Sequence, residues 1–598
     1  MRTRVFFLTV CIFAAFFIIV VRLWYLQIVQ SESLSMLAEN NRLRRVVLPD
    51  YRGNFFDRNG IELVSSRPSF NVALIREDIP DLDVLLAELG ELIDLDKAAV
   101  KKKMLSMAPF SAYVAAYDIT RDQAARIEER RYELPGVSLE IRPTRYYRYG
   151  PLAAHLLGYL SEITKSQLEF DIYKDYRQGD ILGRYGVEKS FETALRGKKG
   201  RKIVEVDAAG RELRVVRSLP SGAGHDINLS IEYYTQLAAE LALEGKRGAI
   251  VAIKPKTGEI LAMANSPSFN PNKFARGVDF AYWSELINDE YHPLNNRAIQ
   301  GQYPPGSTYK IVVAAAGLES GVIDEETRFF CPGYYKMGRK VYRCWKKGGH
   351  GKIGLVRAIA ESCDVFFYNV GLKVGVNKIA EMAARFGLNV KSGIKLDHEK
   401  RGLVPTTSWK EKNRHEPWIA GETLSISIGQ GFNLTTPLQM ARVIAAVAND
   451  GKMPLPRLIR LPEDVDTGLE SLGGIDVKLS PKTLALIRRG LFEVVNSKGG
   501  TGWRARIKGV SMAGKTGTSQ VVRLREDDDR KGDEIPEKFR DHAWFVAYAP
   551  FDDPQIAVAV VVEHGGSGGL VAAPMAKQVI KTYLDGVGVK TPLSAGAS

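Results

Sequence analysis

Residues 5–21 form an unbroken apolar run of seventeen, interrupted only by Thr9. At about 1.5 Å of rise per residue, such a run spans roughly 25 Å as a helix, most of a bilayer's hydrocarbon core. Leu23, Trp24, Tyr25, Leu26, Ile28 and Val29 extend it past Arg22, with two aromatics where interfacial side chains sit. Arg2 and Arg4 precede it, a bias that keeps the short N-terminus in the cytoplasm and carries the remainder across. A cleaved signal peptide would need a shorter apolar stretch ended by a small-x-small site, and none occurs between Val21 and Ser35. The expected layout is a tail at 1–4, one membrane-spanning helix at 5–28, and a long exported region.

The whole chain has 598 residues, enough for roughly four domains. With 45% hydrophobic and 25% charged residues it is a folded chain, neither collagen-like nor disordered. Basic residues exceed acidic ones by 83 − 69 = 14, a surplus suited to an anionic partner; export speaks against nucleic acid. Four cysteines are too few for a disulfide-dense module. From Arg44 to about Pro220 the chain is charge-rich, with a strand-like run at 46–48 and a tight-turn signal at Asp57-Arg58-Asn59-Gly60. Helical patterns cover 85–104 and 121–131.

From 226 to 590 the pattern changes. Helical periodicity over 231–243 leads to two strands, 248–253 and 259–264, around the turn Lys254-Pro255-Lys256-Thr257-Gly258. Three further strand-like runs lie at 520–524, 542–548 and 555–563, followed by a helix at 573–584 and a tail at 591–598. Between the two strand groups the patterns are mainly helical. The economical fold is α+β and multidomain, with one five-stranded antiparallel sheet built from both ends of the second domain around a helical insert.

Two serines compete as nucleophiles. Gly565-Gly566-Ser567-Gly568-Gly569 matches the strand-to-helix elbow of α/β-hydrolases, but that fold needs a histidine later in the chain, and none follows Ser567. A glycine-rich connection is the better account. Ser307-Thr308-Tyr309-Lys310 opens a helical run after Pro304-Pro305-Gly306, so a spacing of three brings serine and lysine to one face. Ser392-Gly393-Ile394-Lys395 has the same spacing without a helix signal, and a plain N-cap serine is the bland reading of Ser307. Ser362-Cys363-Asp364 and Lys515-Thr516-Gly517-Thr518 follow in order, and the series S-x-x-K, S-x-[ND], K-T-G is far more specific than any one member. Isolated K-[ST]-G triplets at Lys256 and Lys391 show how little the triplet alone means. A second cluster has the form C-x12-C-x5-H-x12-C: Cys331, Cys344, His350 and Cys363. Three sulfurs and an imidazole complete a tetrahedral zinc shell; a Cys331–Cys344 disulfide with Cys363 as a buried thiol is the alternative.

With these motifs the chain resembles the class B penicillin-binding proteins, most of all their cell-elongation branch. Arg52-Gly53-Asn54, Gly186-Val187-Glu188, Gly429-Gln430-Gly431 and His542-Ala543-Trp544-Phe545 carry the resemblance along nearly the whole length. Asp364 stands where the general pattern has Asn, as it does in elongation-type members. The resemblance implies a pedestal of the dimerisation type at 29–225 and a penicillin-binding, serine β-lactamase-like transpeptidase domain at 226–590. It implies Ser307 as nucleophile, Lys310 as base, Ser362 as proton relay, Asp364 orienting the lysine, and Lys515 and Thr516 holding a substrate carboxylate. The N–H groups of Ser307 and Thr518 make the oxyanion hole beside Gly517. Implied also are one structural Zn2+ on the Cys/His group, no organic cofactor, β-lactams bound covalently, and peptidoglycan stem peptides on lipid-linked strands as substrates. The partners would be a polytopic glycosyltransferase of the shape, elongation, division and sporulation type and a periplasmic activating scaffold, at the inner membrane with the catalytic domain periplasmic. The rivals are a division-type enzyme, a soluble β-lactamase, and a non-catalytic or penicillin-sensing scaffold.

Overall fold

A computed structural model describes residues 2–588 except 33, 35–42, 106, 108–111, 178, 207–211, 276, 277, 279, 463–472 and 522–534. The chain divides into two compact units. The first comprises Met1–Gly53, Ser66–Thr144 and Thr193–His225. Its N-terminal helix Arg2–Trp24 continues through a wider turn to Val29, and none of its residues is buried by the described protein. Among the described residues this is the one helix with the length and composition to cross a membrane. The same unit holds a three-stranded antiparallel sheet of Leu43–Leu48, Gly200–Val206 and Glu212–Leu219. The helical pattern over 85–104 resolves into two helices, Leu82–Leu92 and Lys97–Leu105. The break is made by caps: the Asp81 carboxylate accepts from the N–H groups of Asp83 and Val84, and Asp96 from that of Ala99. With helix Arg121–Glu129 they bury Leu85, Leu89, Val100, Met104 and Ile127 against Val72 and Leu74.

The second unit comprises Asn54–Ser65, Arg145–Glu192 and Asp226–Ser598. Its first segment turns where the Asn-Gly signal falls: the Gly60 N–H donates to Asp57 O at φ +87°, bringing Phe55 opposite Val64. Residues 145–192 contribute a buried ion pair, Arg145 Nε to Glu188 Oε1 at 2.6 Å. The sheet has strands β1 (Gly248–Ile253), β2 (Ile260–Ser266), β3 (Ala513–Ser519), β4 (His542–Ala549) and β5 (Ile556–Val562). The order is β2-β1-β5-β4-β3 with every neighbour antiparallel, so the sheet does join both ends of the domain. Every residue of β5 is buried, which explains its continuous apolar reading: both of its faces are covered. Helices α1 (Lys310–Glu319), α2 (Leu355–Ala360), α3 (Asp364–Val374), α4 (Pro437–Ala448) and α5 (Pro481–Asn496) belong to the insert. Helix α6 (Ala573–Gly588) closes the domain; α4 and α6 both pack on β4 and β5.

One strand lies elsewhere than expected. Residues 520 and 521 are not strand, and 522–524 fall outside the described residues. The third C-terminal strand is β3, with Lys515-Thr516-Gly517 in its middle rather than ahead of it. Its glycines weaken a hydrophobicity signal, yet the ladder needs them: a Cβ on Gly517 would lie 2.8 Å from Trp544 Cβ.

Candidate active site

The nucleophile turn is built by the residues before it. Pro305 leads into Gly306 at φ +55°, and a tight four-residue turn of 3-10 helix, Gly306–Tyr309, runs into α1. In such a turn positions three apart eclipse each other, which puts Ser307 and Lys310 on one edge. The turn is pinned from three sides. The Gly306 N–H donates to Gly429 O at 2.9 Å, Tyr303 and Thr435 exchange backbone hydrogen bonds, and Ser519 Oγ donates to Pro304 O. Glycine is required at 429 by its φ of +71° and by crowding, since a Cβ there would sit 2.1 Å from Gly306 O.

Below the turn, three chain segments converge on one hydroxyl. Lys310 Nζ donates to Ser362 O at 2.9 Å, Ser362 Oγ at 3.2 Å and Asp364 Oδ1 at 2.7 Å. Lys515 Nζ donates to the same Ser362 Oγ at 2.9 Å and to Thr516 O at 3.1 Å. Both lysines are fully buried. With both lone pairs of Ser362 Oγ occupied, its own proton can only be donated outward. The direct Ser307–Lys310 hydrogen bond that the spacing suggests is absent: the three Nζ donors are already spent, and the Ser307 hydroxyl has no partner among the described residues. Ser362 itself holds φ at +56°, a left-handed backbone that a serine rarely adopts and that clusters at functional sites.

The electrostatics of the two lysines differ. Lys310 has a carboxylate partner in Asp364, whose second oxygen accepts from the Trp345 N–H at 2.9 Å. Lys515 has none at contact distance, and burial, followed by the charge of Lys310, pushes its ammonium well below the usual lysine range. Strand β3 is the sheet's edge, so the backbone along one side pairs with no other strand. It lies against the nucleophile turn: a Cβ on Gly306 would meet Thr518 O at 2.7 Å and Thr518 N at 3.2 Å. Thr516 is buried with its hydroxyl 2.7 Å from that of Thr501, whereas Thr518 is exposed.

The Cys/His group also assembles. One donor atom from each of Cys331, Cys344, His350 and Cys363 falls within 4.8 Å of all the others, and all four residues are buried. The cysteines are free thiols. Cys331 Sγ and Cys344 Sγ lie 3.5 and 3.6 Å from His350 Nδ1. A tetrahedral zinc with ordinary Zn–S and Zn–N bonds puts such atoms about 3.6 Å apart, so the donor set fits the ion in kind and spacing. A hydrogen bond from Cys363 holds the Cys344 thiol far down, and the same contact pushes Cys363 up.

The penicillin binding protein transpeptidase domain model matches residues 248–581, and the penicillin-binding protein dimerisation domain model matches 48–229. The chain belongs to the penicillin-binding protein family. It is 37% identical over 594 residues to the peptidoglycan D,D-transpeptidase MrdA of Acinetobacter baumannii, covering 98% of this chain and 88% of that one. It resembles the complex between penicillin-binding protein PBP2 and MreC from Helicobacter pylori, with a TM-score of 0.79, 30% identity, and 91% and 99% of the two chains covered. A structure titled for the coordination of polymerization and crosslinking by a peptidoglycan synthase complex aligns at a TM-score of 0.72 and 29% identity. It covers 99% of this chain and 100% of the other.

In this penicillin-binding protein three contributors escape a motif-based reading. Thr501 ties its hydroxyl to Thr516, Trp345 lends a backbone N–H to Asp364, and the Gly429 carbonyl fixes the nucleophile turn. Only Gly429 carried a signal, as part of Gly429-Gln430-Gly431; the other two act through contacts between residues 15 and 19 positions apart, with no residue type that demands them.

Proposed function

We propose that the protein is a peptidoglycan D,D-transpeptidase of the cell-elongation type, acting through a serine acyl-enzyme. The observation that carries this reading is the Ser362 hydroxyl held between the Nζ atoms of two buried lysines, 3.2 and 2.9 Å away, under the turn that presents Ser307. Ser307 Oγ attacks the carbonyl carbon between the two terminal D-alanines of a stem peptide, and its proton passes to Lys310 in its neutral form. The oxyanion is met by the N–H groups of Ser307 and Thr518, each worth about 3–4 kcal/mol in such a role. When the C–N bond breaks, the leaving D-alanine amine takes a proton through Ser362, leaving an ester on Ser307. A neighbouring stem's amine then attacks the ester and loses its proton back along the same path, which completes the cross-link and frees the serine. A β-lactam enters the first half of this cycle and stops at the ester.

Lys515, Thr516 and the exposed Thr518 line the edge where the substrate's terminal carboxylate is placed; charge-assisted hydrogen bonds are the strong ones there. Cys331, Cys344, Cys363 and His350 Nδ1 hold a structural zinc, which supplies no reacting group and cross-ties the loop carrying Ser362 and Asp364. His350 Nε2 is buried without a hydrogen bond, with Glu361 Oε2 at 3.9 Å, where an outer carboxylate orients a ligating imidazole. The N-terminal helix anchors the chain in the inner membrane, with the catalytic domain in the periplasm. Its partners are a glycosyltransferase of the shape, elongation, division and sporulation type and an activating scaffold; the similar complexes, one with MreC and one coordinating polymerization with crosslinking, support this reading. Ser307→Ala should abolish covalent labelling by a fluorescent penicillin while leaving the fold intact; normal labelling of that variant removes the proposal.

A further inference from the structure

The positive charge is not spread evenly. Residues 328–352 carry Arg328, Lys336, Arg339, Lys340, Arg343, Lys346, Lys347 and Lys352 and no acidic residue, so eight of the surplus of fourteen fall in this one segment. All eight are exposed. Lys346 stands 3.8 Å from Glu361 and Arg328 4.0 Å from Glu326; the other six have no carboxylate partner among the described residues. The segment's hairpin pairs Tyr334–Met337 with Lys340–Arg343, setting Tyr334 opposite Arg343 and Lys336 opposite Val341. Alternation puts these four on one face, and all four are exposed. The other face carries Tyr335 and Tyr342, whose rings lie 6.2 and 6.1 Å from Tyr368 of the domain body. The outward face therefore has a fixed orientation. Its second strand runs directly into Cys344 and Trp345, and Trp345 is 59% exposed while its N–H holds the Asp364 carboxylate.

We infer that this face is the docking surface for a peptidoglycan strand bearing carboxylate-ended stem peptides, the strand that presents the acceptor amine. The inference rests on the transpeptidase reading, which supplies the substrate class. Unpaired cations attract the stems' carboxylates, and the exposed rings of Tyr334 and Trp345 offer flat apolar faces to sugar rings. The surface ends one backbone hydrogen bond from Asp364, where the second substrate must arrive. A lipid bilayer laid on the same face would close that approach, so an anionic membrane is the disfavoured occupant.

The test uses the full chain in nanodiscs of neutral lipid and purified peptidoglycan sacculi. Sedimentation with sacculi should weaken as salt rises, since exposed charges are screened within about 10 Å at 0.1 M salt. The combined Lys336→Gln, Arg339→Gln, Arg343→Gln and Lys347→Gln variant should bind sacculi about tenfold more weakly. Its labelling by fluorescent penicillin should stay at the unmodified rate, showing that the domain is folded and Ser307 is live. A measurement on the unmodified chain stands beside it: soluble poly-glutamate should displace the sacculi. Equal sedimentation of the two proteins, no displacement by poly-glutamate, or charge-dependent binding to phosphatidylglycerol vesicles in place of sacculi each overturns the inference. Absence of penicillin labelling in the unmodified protein would instead strike the transpeptidase reading.

Discussion

Lys515 sits fully buried beside a second lysine, and this decides how its charge answers to pH. Its pKa in the folded protein lies below that of the unfolded chain. Charging it is therefore a cost: that cost is absent above the unfolded lysine pKa and grows as pH falls toward the folded one. A substrate carboxylate set beside it reverses the balance and favours the ammonium. Binding should accordingly take up a proton and weaken as pH rises. Calorimetry of the Ser307→Ala variant with a β-lactam, run in buffers of different ionisation enthalpy, should show that uptake; enthalpies that do not change with buffer would rule it out. Asp364 and Lys310 illustrate how far single residues can be read. The pairing of lysine with carboxylate across 54 positions was legible from motif order, and it is made at 2.7 Å. That Lys515 is disfavoured as a cation follows from its burial without a carboxylate at contact distance, which spacing does not encode.

At the scale of elements, the hairpin at 248–264 was visible because two apolar runs flank a turn signal, and the closing helix because it is long. Strand β3 was misplaced for a physical reason. Its glycines permit close approach of Trp544 and Pro305, and the same lack of side chains hides the strand from a hydrophobicity pattern. Ser392 shows the converse: it shares the spacing of Ser307, yet it lies in a loop and its N–H is bound to Glu399. Context, here a glycine at φ +55° ahead of a helix, separates the two. The loop between α2 and α3 has a further dependence. It carries Ser362 in a left-handed conformation, and the Cys363 sulfur lies within 4.8 Å of the donor atoms of Cys331, Cys344 and His350. Purified protein should contain about one zinc per chain by elemental analysis, and chelation should slow penicillin labelling, as loss of a structural site loosens what it ties. A metal-free protein with a mapped Cys331–Cys344 disulfide would refute this.

On the scale of the molecule, the N-terminal helix leaves its apolar surface exposed among the described residues, and the catalytic unit draws on three separated stretches of chain. The anchor was legible because seventeen apolar residues in a row have few other uses in a folded chain. The grouping of 54–65 and 145–192 with the catalytic unit was not, because it rests on contacts such as Arg145 with Glu188 that leave no periodic trace. If wall elongation is the task, cells depleted of this protein should round up; filamentation would assign it to division instead. The triangle of Lys310, Ser362 and Lys515 carries a last consequence. On the proposed mechanism the same interior atoms would process antibiotic and natural peptide, so a change that blunts one would blunt the other. Drug resistance that preserves growth would then arise on the solvent-reached rim, outside the residues that hold the peptide.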